Sequence, residues 1–200
     1  MPSPIPASLS RAKKSVDSYK ARLLSAIEDF DFHEVSSLVE ILLAARERGA
    51  TVFIAGNGGS ASTASHYVVD WMLGTEISDP PLPVVALADN VPGLTATGND
   101  IQFLEVFSRP LRSLGKPGDV LVVVSASGNS PNLLAALHEA QSRKILVVAI
   151  TGFDGGKLKE LADVSVHVST RLRDYGVAED LHLTIGHVVK EALIAAVHDG

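Results

Sequence analysis

The chain of 200 residues contains no cysteine. Disulfides and thiolate chemistry are therefore excluded, and the composition fits a reducing compartment, with the cytoplasm as the expected location. No apolar run approaches the ~20 residues that a membrane-spanning helix needs. The opening stretch, MPSPIPASLSRAKK, has no apolar core of signal-peptide length, so no membrane partner is expected. Basic residues are in deficit: 17 Lys and Arg stand against 23 Asp and Glu, for a net charge of −6. That balance argues against a broad nucleic-acid surface. The one basic cluster, Arg11 to Lys14, reads as a solvated helix end. A G-K-[ST] triplet is also missing, which excludes a P-loop.

What is present is enough for a well-filled core. Hydrophobic residues make up 46% of the chain and mean hydropathy is +0.23. A chain of this length suits one domain and buries roughly 70% of its unfolded surface. The stretch that organises it is Thr51 to Gly74, TVFIAGNGGSASTASHYVVDWMLG. Thr51–Ala55 reads as a buried strand, Gly56-Asn57-Gly58-Gly59-Ser60 as a glycine-rich loop, and the remainder as a helix. Such a loop brings backbone N–H groups close to an anion, and the helix N-terminus adds partial positive charge. His66 and Asp70, four residues apart, share one face of that helix.

Elsewhere the pattern alternates. Residues 1–7 hold three prolines and are read as loose. Val16, Tyr19, Leu23, Leu24 and Ile27 repeat at helical spacing between Leu9 and Phe30. A second helix is expected from Asp31, with Asp31 and Glu34 as a capping-box-like pair, Val35, Leu38, Val39, Leu42 and Leu43 as its stripe and Gly49 as its end. This helical pair (residues 1–50) either packs partly on another subunit or simply covers its own sheet. Residues 51–200 are expected to form an α/β sandwich in the same domain. Strands are expected at Val84–Ala88, Asp119–Val124, Ile145–Ile150 and Val164–Val168. Val91 to Asp100, with Pro92, Gly93 and Gly98, reads as a turn-rich connection, and Ile101 to Leu114 as a helix. Further helices are expected from Pro131 to Arg143, after Gly156, and over Val177 to Val197. Strands alternating with helices indicate a parallel sheet with crossovers.

Ligands of such sheets bind beyond the carboxyl ends of the strands. Two loops qualify: 56–60 and Ser125-Ala126-Ser127-Gly128-Asn129-Ser130. The second offers three hydroxyls and a helix start, which suits a phosphomonoester held without a lysine. Serine and glycine are also ordinary turn residues, but two such loops at equivalent strand ends favour ligand binding. Gly56 to Ala61 formally fits the dinucleotide pattern G-x-G-x-x-A. The acid that ends the next strand, Asp89, lies well beyond the usual spacing, so that alternative is weak.

A second set of residues carries titratable chemistry. His66 and Asp70 are joined by Glu179 and His187 in the closing helix, about 80° apart around its axis. Two imidazoles and two carboxylates suit a tetrahedral zinc, or equally a metal-free acid–base pair. His33, His138, His167 and His198 read as structural or surface histidines, and His182 is left open.

These pieces resemble the SIS (sugar isomerase) domain proteins, and among them the phosphoheptose isomerases. The matching stretches are AGNGGSA at 55–61, His66 with an acid four residues on, LTATGND at 94–100, PGDVLVVVSASGNS at 117–130, VVAITGFDGGKL at 147–158 and EDLHLTIGH at 179–187. The resemblance spans the chain from about residue 10 onward. It implies a five-stranded parallel sheet between helices, a homotetramer with shared sites, and interconversion of sedoheptulose 7-phosphate with a heptose 7-phosphate through an enediol. It implies that Ser60, Ser125, Ser127 and Ser130 bind phosphate, and that Asn57, Gly58, Asp100 and Glu179 contact the sugar or shape its pocket. It assigns proton transfer to Asp70 and His187, and zinc to His66, Asp70, Glu179 and His187.

The chain departs from the family where Asp70 replaces a glutamate, Glu179 a glutamine and Ala126 a hydroxyl residue, and where Trp71–Glu76 lacks an arginine. A non-catalytic sugar-phosphate sensor or protein-bridging module is the competing function. Retention of His187 argues for the enzyme.

Overall fold

Alternate residues of a strand point to opposite faces of its sheet, and in this chain both faces are apolar. The computed structural model describes residues 7–76 and 80–198. The proline-bearing residues 1–6 lie outside the described residues. Strands β1 (Val52–Gly56), β2 (Val84–Ala86), β3 (Val120–Ser125), β4 (Leu146–Thr151) and β5 (Val164–His167) form one parallel sheet in the order β2-β1-β3-β4-β5. The order reverses direction between β1 and β3, which places the loops after those two strands at the switch point.

Among the described residues eight α-helices flank the sheet: α1 (Ala7–Asp29), α2 (Glu34–Glu47), α3 (Gly59–Glu76), α4 (Val91–Asp100), α5 (Ser108–Leu114), α6 (Pro131–Ser142), α7 (Gly156–Leu161) and α8 (Tyr175–His198). Val52, Ile54, Val122, Val124 and Ile150 face Leu38 and Leu42 of α2, Tyr67 and Trp71 of α3, and Leu181 and Ile185 of α8. Phe53, Ala55, Leu121, Val123 and Val147 face Leu111 of α5, Leu133 and Leu137 of α6, and Leu158 of α7. None of the described helices is long and apolar enough to cross a membrane.

Three local expectations are corrected. Val91 to Asp100 is a helix, not a turn-rich connection. Asn90 caps it, its Oδ1 accepting from Gly93 N at 3.0 Å, and Pro92 sits in the first turn, where a missing N–H costs nothing. The expected helix from Ile101 to Leu114 is broken. Gln102 is extended (φ −170°, ψ 150°), a 3₁₀ turn follows at Phe103–Glu105, and only Ser108–Leu114 is α-helical. The Asp31–Glu34 capping box does not form. Glu34 instead accepts from the His167 backbone N–H at 2.8 Å, fastening α2 to β5, while Asp31 Oδ1 accepts from His33 N.

Of the two alternatives for the first two helices, the covering of this subunit's own core is seen for α2. Helix α2 buries Val35, Leu38, Leu42 and Ala45 against its own subunit. Helix α1 docks through Tyr19, whose hydroxyl donates to Asp180 at 2.5 Å, and through Arg22, paired with Asp174 at 2.6 Å. Its Leu9, Val16, Leu24 and Ile27 remain exposed.

Candidate active site

Helices α3 and α8 approach so closely that no side chain fits at Gly186. A Cβ there would fall 2.1 Å from the Tyr67 ring. Tyr67, wholly buried, donates its hydroxyl to the His182 carbonyl. Trp71 Nε1 donates to the Gly186 carbonyl at 3.2 Å. Burial pushes the Tyr67 phenol far above its ordinary value, so the donor keeps its proton. These contacts fix the depth and rotation of one helix against the other.

That packing brings together residues 121 positions apart. Nε2 of His66 and Nε2 of His187 are 3.1 Å from each other. Asp70 Oδ2 is 3.2 Å from the first and 3.6 Å from the second. Asp70 Oδ1 accepts from Lys190 Nζ at 3.0 Å. The carboxylate is buried, at 8% side-chain exposure, whereas the two imidazoles are about half exposed, at 48% and 53%. The cluster is thus a sheltered anion beneath two accessible rings.

The donor set fits a zinc ion. Asp70 Oδ2 is buried and receives no hydrogen bond. A tetrahedral zinc with ligands at about 2.0–2.1 Å places its donor atoms roughly 3.3–3.4 Å apart. The separations found here are 3.1, 3.2 and 3.6 Å. Two nitrogens and one oxygen leave a fourth position for a water or a substrate oxygen. His66, Asp70 and His187 form such a group without Glu179.

Glu179 lies instead at the other end of the α8 face. It lines a cavity of about 140 Å³ with Asn57, Ser60, Ser125, Ser127, Ser130 and Tyr175. Its carboxylate occupies the space that a side chain at Gly59, the first residue of α3, would fill. Eight residues of helix separate it from His187, about 12 Å along the axis. The expectation that all four metal-type residues meet at one point is therefore not met within one protomer. The serine cavity also includes neither His66 nor His187 among its walls.

The serine cavity has the loop geometry of an anion cradle. Gly128 has φ +62°, and a Cβ there would run into the Gly155 carbonyl, so the loop after β3 is folded tightly onto the next strand's loop. Ser125 Oγ accepts from Gly128 N at 3.1 Å and Ser127 Oγ from Asn129 N at 3.3 Å. Ser130 precedes α6 and makes no side-chain cap bond. Asn57 is held by a reciprocal amide pair with Asn132, both bonds 2.9 Å. Gly58 supplies the positive φ (+54°) that turns the chain into α3. Asp100 ends α4, exposed, bonded to Asn99, and away from the cavity walls. A larger concavity of about 320 Å³ lies against α1, but its Arg22 is already committed to Asp174.

Sequence reading overlooked Lys190, Asn132 and Tyr175. Lys190 had a usable signal, since it lies one helical turn after His187 and must share its face. Asn132 and Tyr175 had none, because their roles depend on which loops meet. His182 resolves as a core residue: it is wholly buried and neither ring nitrogen has a hydrogen-bond partner. Burial lowers its pKa to about 4, opposed weakly by the nearby Thr151 carbonyl, so the ring is neutral.

The family model for the SIS domain matches residues 18–152. Phosphoheptose isomerase from Azoarcus sp. (strain BH72) is 36% identical over 160 residues, covering 80% of this chain and 81% of the relative. The chain belongs to the SIS-domain family, among the phosphoheptose isomerases. Phosphoheptose isomerase from Burkholderia pseudomallei (strain 1710b) is 39% identical over 155 residues, 78% of each chain. The solved structure of phosphoheptose isomerase GmhA from Neisseria gonorrhoeae superposes on this SIS-domain protein with a TM-score of 0.82 at 30% identity, covering 94% of this chain and all (100%) of the other. The resemblance that the motifs carried, and the five-stranded sheet it implied, are thereby borne out.

Proposed function

We propose that this SIS-domain protein is an aldose–ketose isomerase of sugar phosphates, with sedoheptulose 7-phosphate as its ketose substrate. The reading rests above all on one observation: His66, Asp70 and His187 place three donor atoms within 3.6 Å of one another at the α3–α8 seam. The phosphoheptose isomerases among its relatives support it.

The residues can carry the chemistry. Asp70, as carboxylate, takes the proton from the carbon next to the carbonyl. His187 gives a proton to the carbonyl oxygen, and the product is an enediol. Reversal at the neighbouring carbon, with the proton returned from Asp70 and a hydroxyl proton returned to His187, yields the isomeric carbonyl. Alternatively, a zinc held by Nε2 of His66 and His187 and by Asp70, with Glu179 as a further ligand if a neighbouring copy supplies it, would polarise the substrate carbonyl in place of the proton from His187. Ser60, Ser125, Ser127 and Ser130 bind the phosphate, aided by the N-termini of α3 and α6. Asn57, Gly58 and Glu179 shape the sugar site.

The two halves of this machinery are separate in one protomer, and the imidazoles are half exposed. The reading therefore includes a homotetramer in which a second copy completes each site. Exposed Val16, Leu24 and Ile27 on α1, and Val69 beside the histidines on α3, are the apolar surface for that contact. The absence of cysteine supports a cytoplasmic setting.

Incubation with sedoheptulose 7-phosphate, followed by NMR for the aldose anomeric proton with and without added zinc, tests the activity. Appearance of the aldose is expected. No turnover in either condition overturns the reading in favour of a non-catalytic sugar-phosphate binder.

A further inference from the structure

Lys190 stands one turn beyond His187 on α8, and its ammonium lies 3.0 Å from Asp70 Oδ1. The contact is sheltered: the Asp70 side chain is 8% exposed and that of Lys190 31%. The other oxygen, Oδ2, faces both imidazoles and accepts no hydrogen bond. The carboxylate is thus divided between two kinds of partner. One oxygen is spent on a fixed cation, and one is presented to the reacting side. Aspartate has one torsion fewer than glutamate, so fixing one oxygen fixes the whole group.

We propose that Lys190 is a positioning residue of this site, acting through Asp70, and that its charge makes the His66–Asp70–His187 group a weak holder of divalent metal. The inference rests on the acid–base reading of that group. Orientation is the first consequence. A carboxylate tethered at Oδ1 cannot turn away from the substrate, nor offer both oxygens to one ion. Charge is the second. The ammonium already neutralises the carboxylate, and a dication entering beside it meets repulsion at a few ångströms in a partly sheltered setting.

The experiment uses full-length protein stripped with chelator and titrated with zinc by calorimetry. Two variants are compared with wild type. Lys190→Met keeps the apolar stem and removes the charge, and Lys190→Arg keeps the charge. The Met variant is expected to bind zinc about tenfold or more tightly than wild type, and the Arg variant to match wild type. On sedoheptulose 7-phosphate, kcat of the Met variant is expected to fall by about tenfold or more with little change in KM, because only the aim of the carboxylate is lost. The Arg variant is expected to restore most of it. Equal or weaker zinc binding by the Met variant, including no binding by either protein, overturns the charge role. An unchanged kcat overturns the positioning role. If wild type binds zinc and the Met variant binds it more tightly, yet neither isomerises the sugar, the enzymatic reading and the positioning role fall together while the charge role of Lys190 stands.

Discussion

The Tyr67 ring lies directly against Gly186, leaving no room for even a methyl group on that glycine. The next residue is His187, so the closeness of the two helices and the meeting of the two imidazoles are one geometric fact. Gly186→Ala would have to push α8 away from α3, since the obstacle is a buried, hydrogen-bonded ring. A loss of about 1–3 kcal/mol is expected, as for other overpacked cores. Urea denaturation measures it. Zinc binding and turnover should fall together with it, since His187 moves with the backbone. A variant as stable and as active as wild type would show that the seam is looser than described.

Glu179 places a carboxylate on the wall of the serine cavity, where the proposed function seats the phosphate. Glu179→Gln keeps the shape and removes the repulsion toward a phosphate group. Affinity for sedoheptulose 7-phosphate should rise by about tenfold, the effect of one like charge at a few ångströms in a partly screened site. Calorimetry on wild type and variant reads this directly. Unchanged affinity would mean that the phosphate does not enter the serine cavity beside Glu179.

His182 predicts how acid acts on the fold. Its folded pKa is about 4, below the ordinary histidine value of 6.5 because the ring is wholly buried. The unfolded chain therefore takes up a proton before the folded one does. Stability is full above about pH 6.5, declines by up to about 1.4 kcal/mol per pH unit below it, and has lost about 3 kcal/mol by pH 4. His167 shifts in the same direction, chiefly through its own partial burial, and adds to the trend. Urea midpoints at pH 7.5 and pH 5 should separate widely for wild type and much less for His182→Leu, where the smaller contribution of His167 remains. Equal losses in both proteins would place the acid sensitivity elsewhere.

Much of this was legible in the chain. Periodicity alone located the three long buried strands and most helices, because apolar runs such as DVLVVV suit only a strand covered on both faces. It failed between Val91 and Leu114. There Pro92 and Gly93 resemble turn residues, yet proline is at ease in the first turn of a helix and Asn90 supplies the cap. The capping pair at Asp31 and Glu34 failed for a tertiary reason: the β5 backbone offered Glu34 a better donor than its own helix.

Composition and local pattern thus determined the parallel sheet, the two small-residue loops at its switch point and the histidine–carboxylate spacing on α3, because each depends on near neighbours in the chain. Only the packed structure decided that His187 meets His66, that Glu179 faces the serines instead of the histidines, and that Lys190 holds Asp70. Those contacts join residues far apart in the chain, 121 positions for the two histidines and 120 for Lys190 and Asp70, and what sets these two is the depth to which two helices interlock around one glycine.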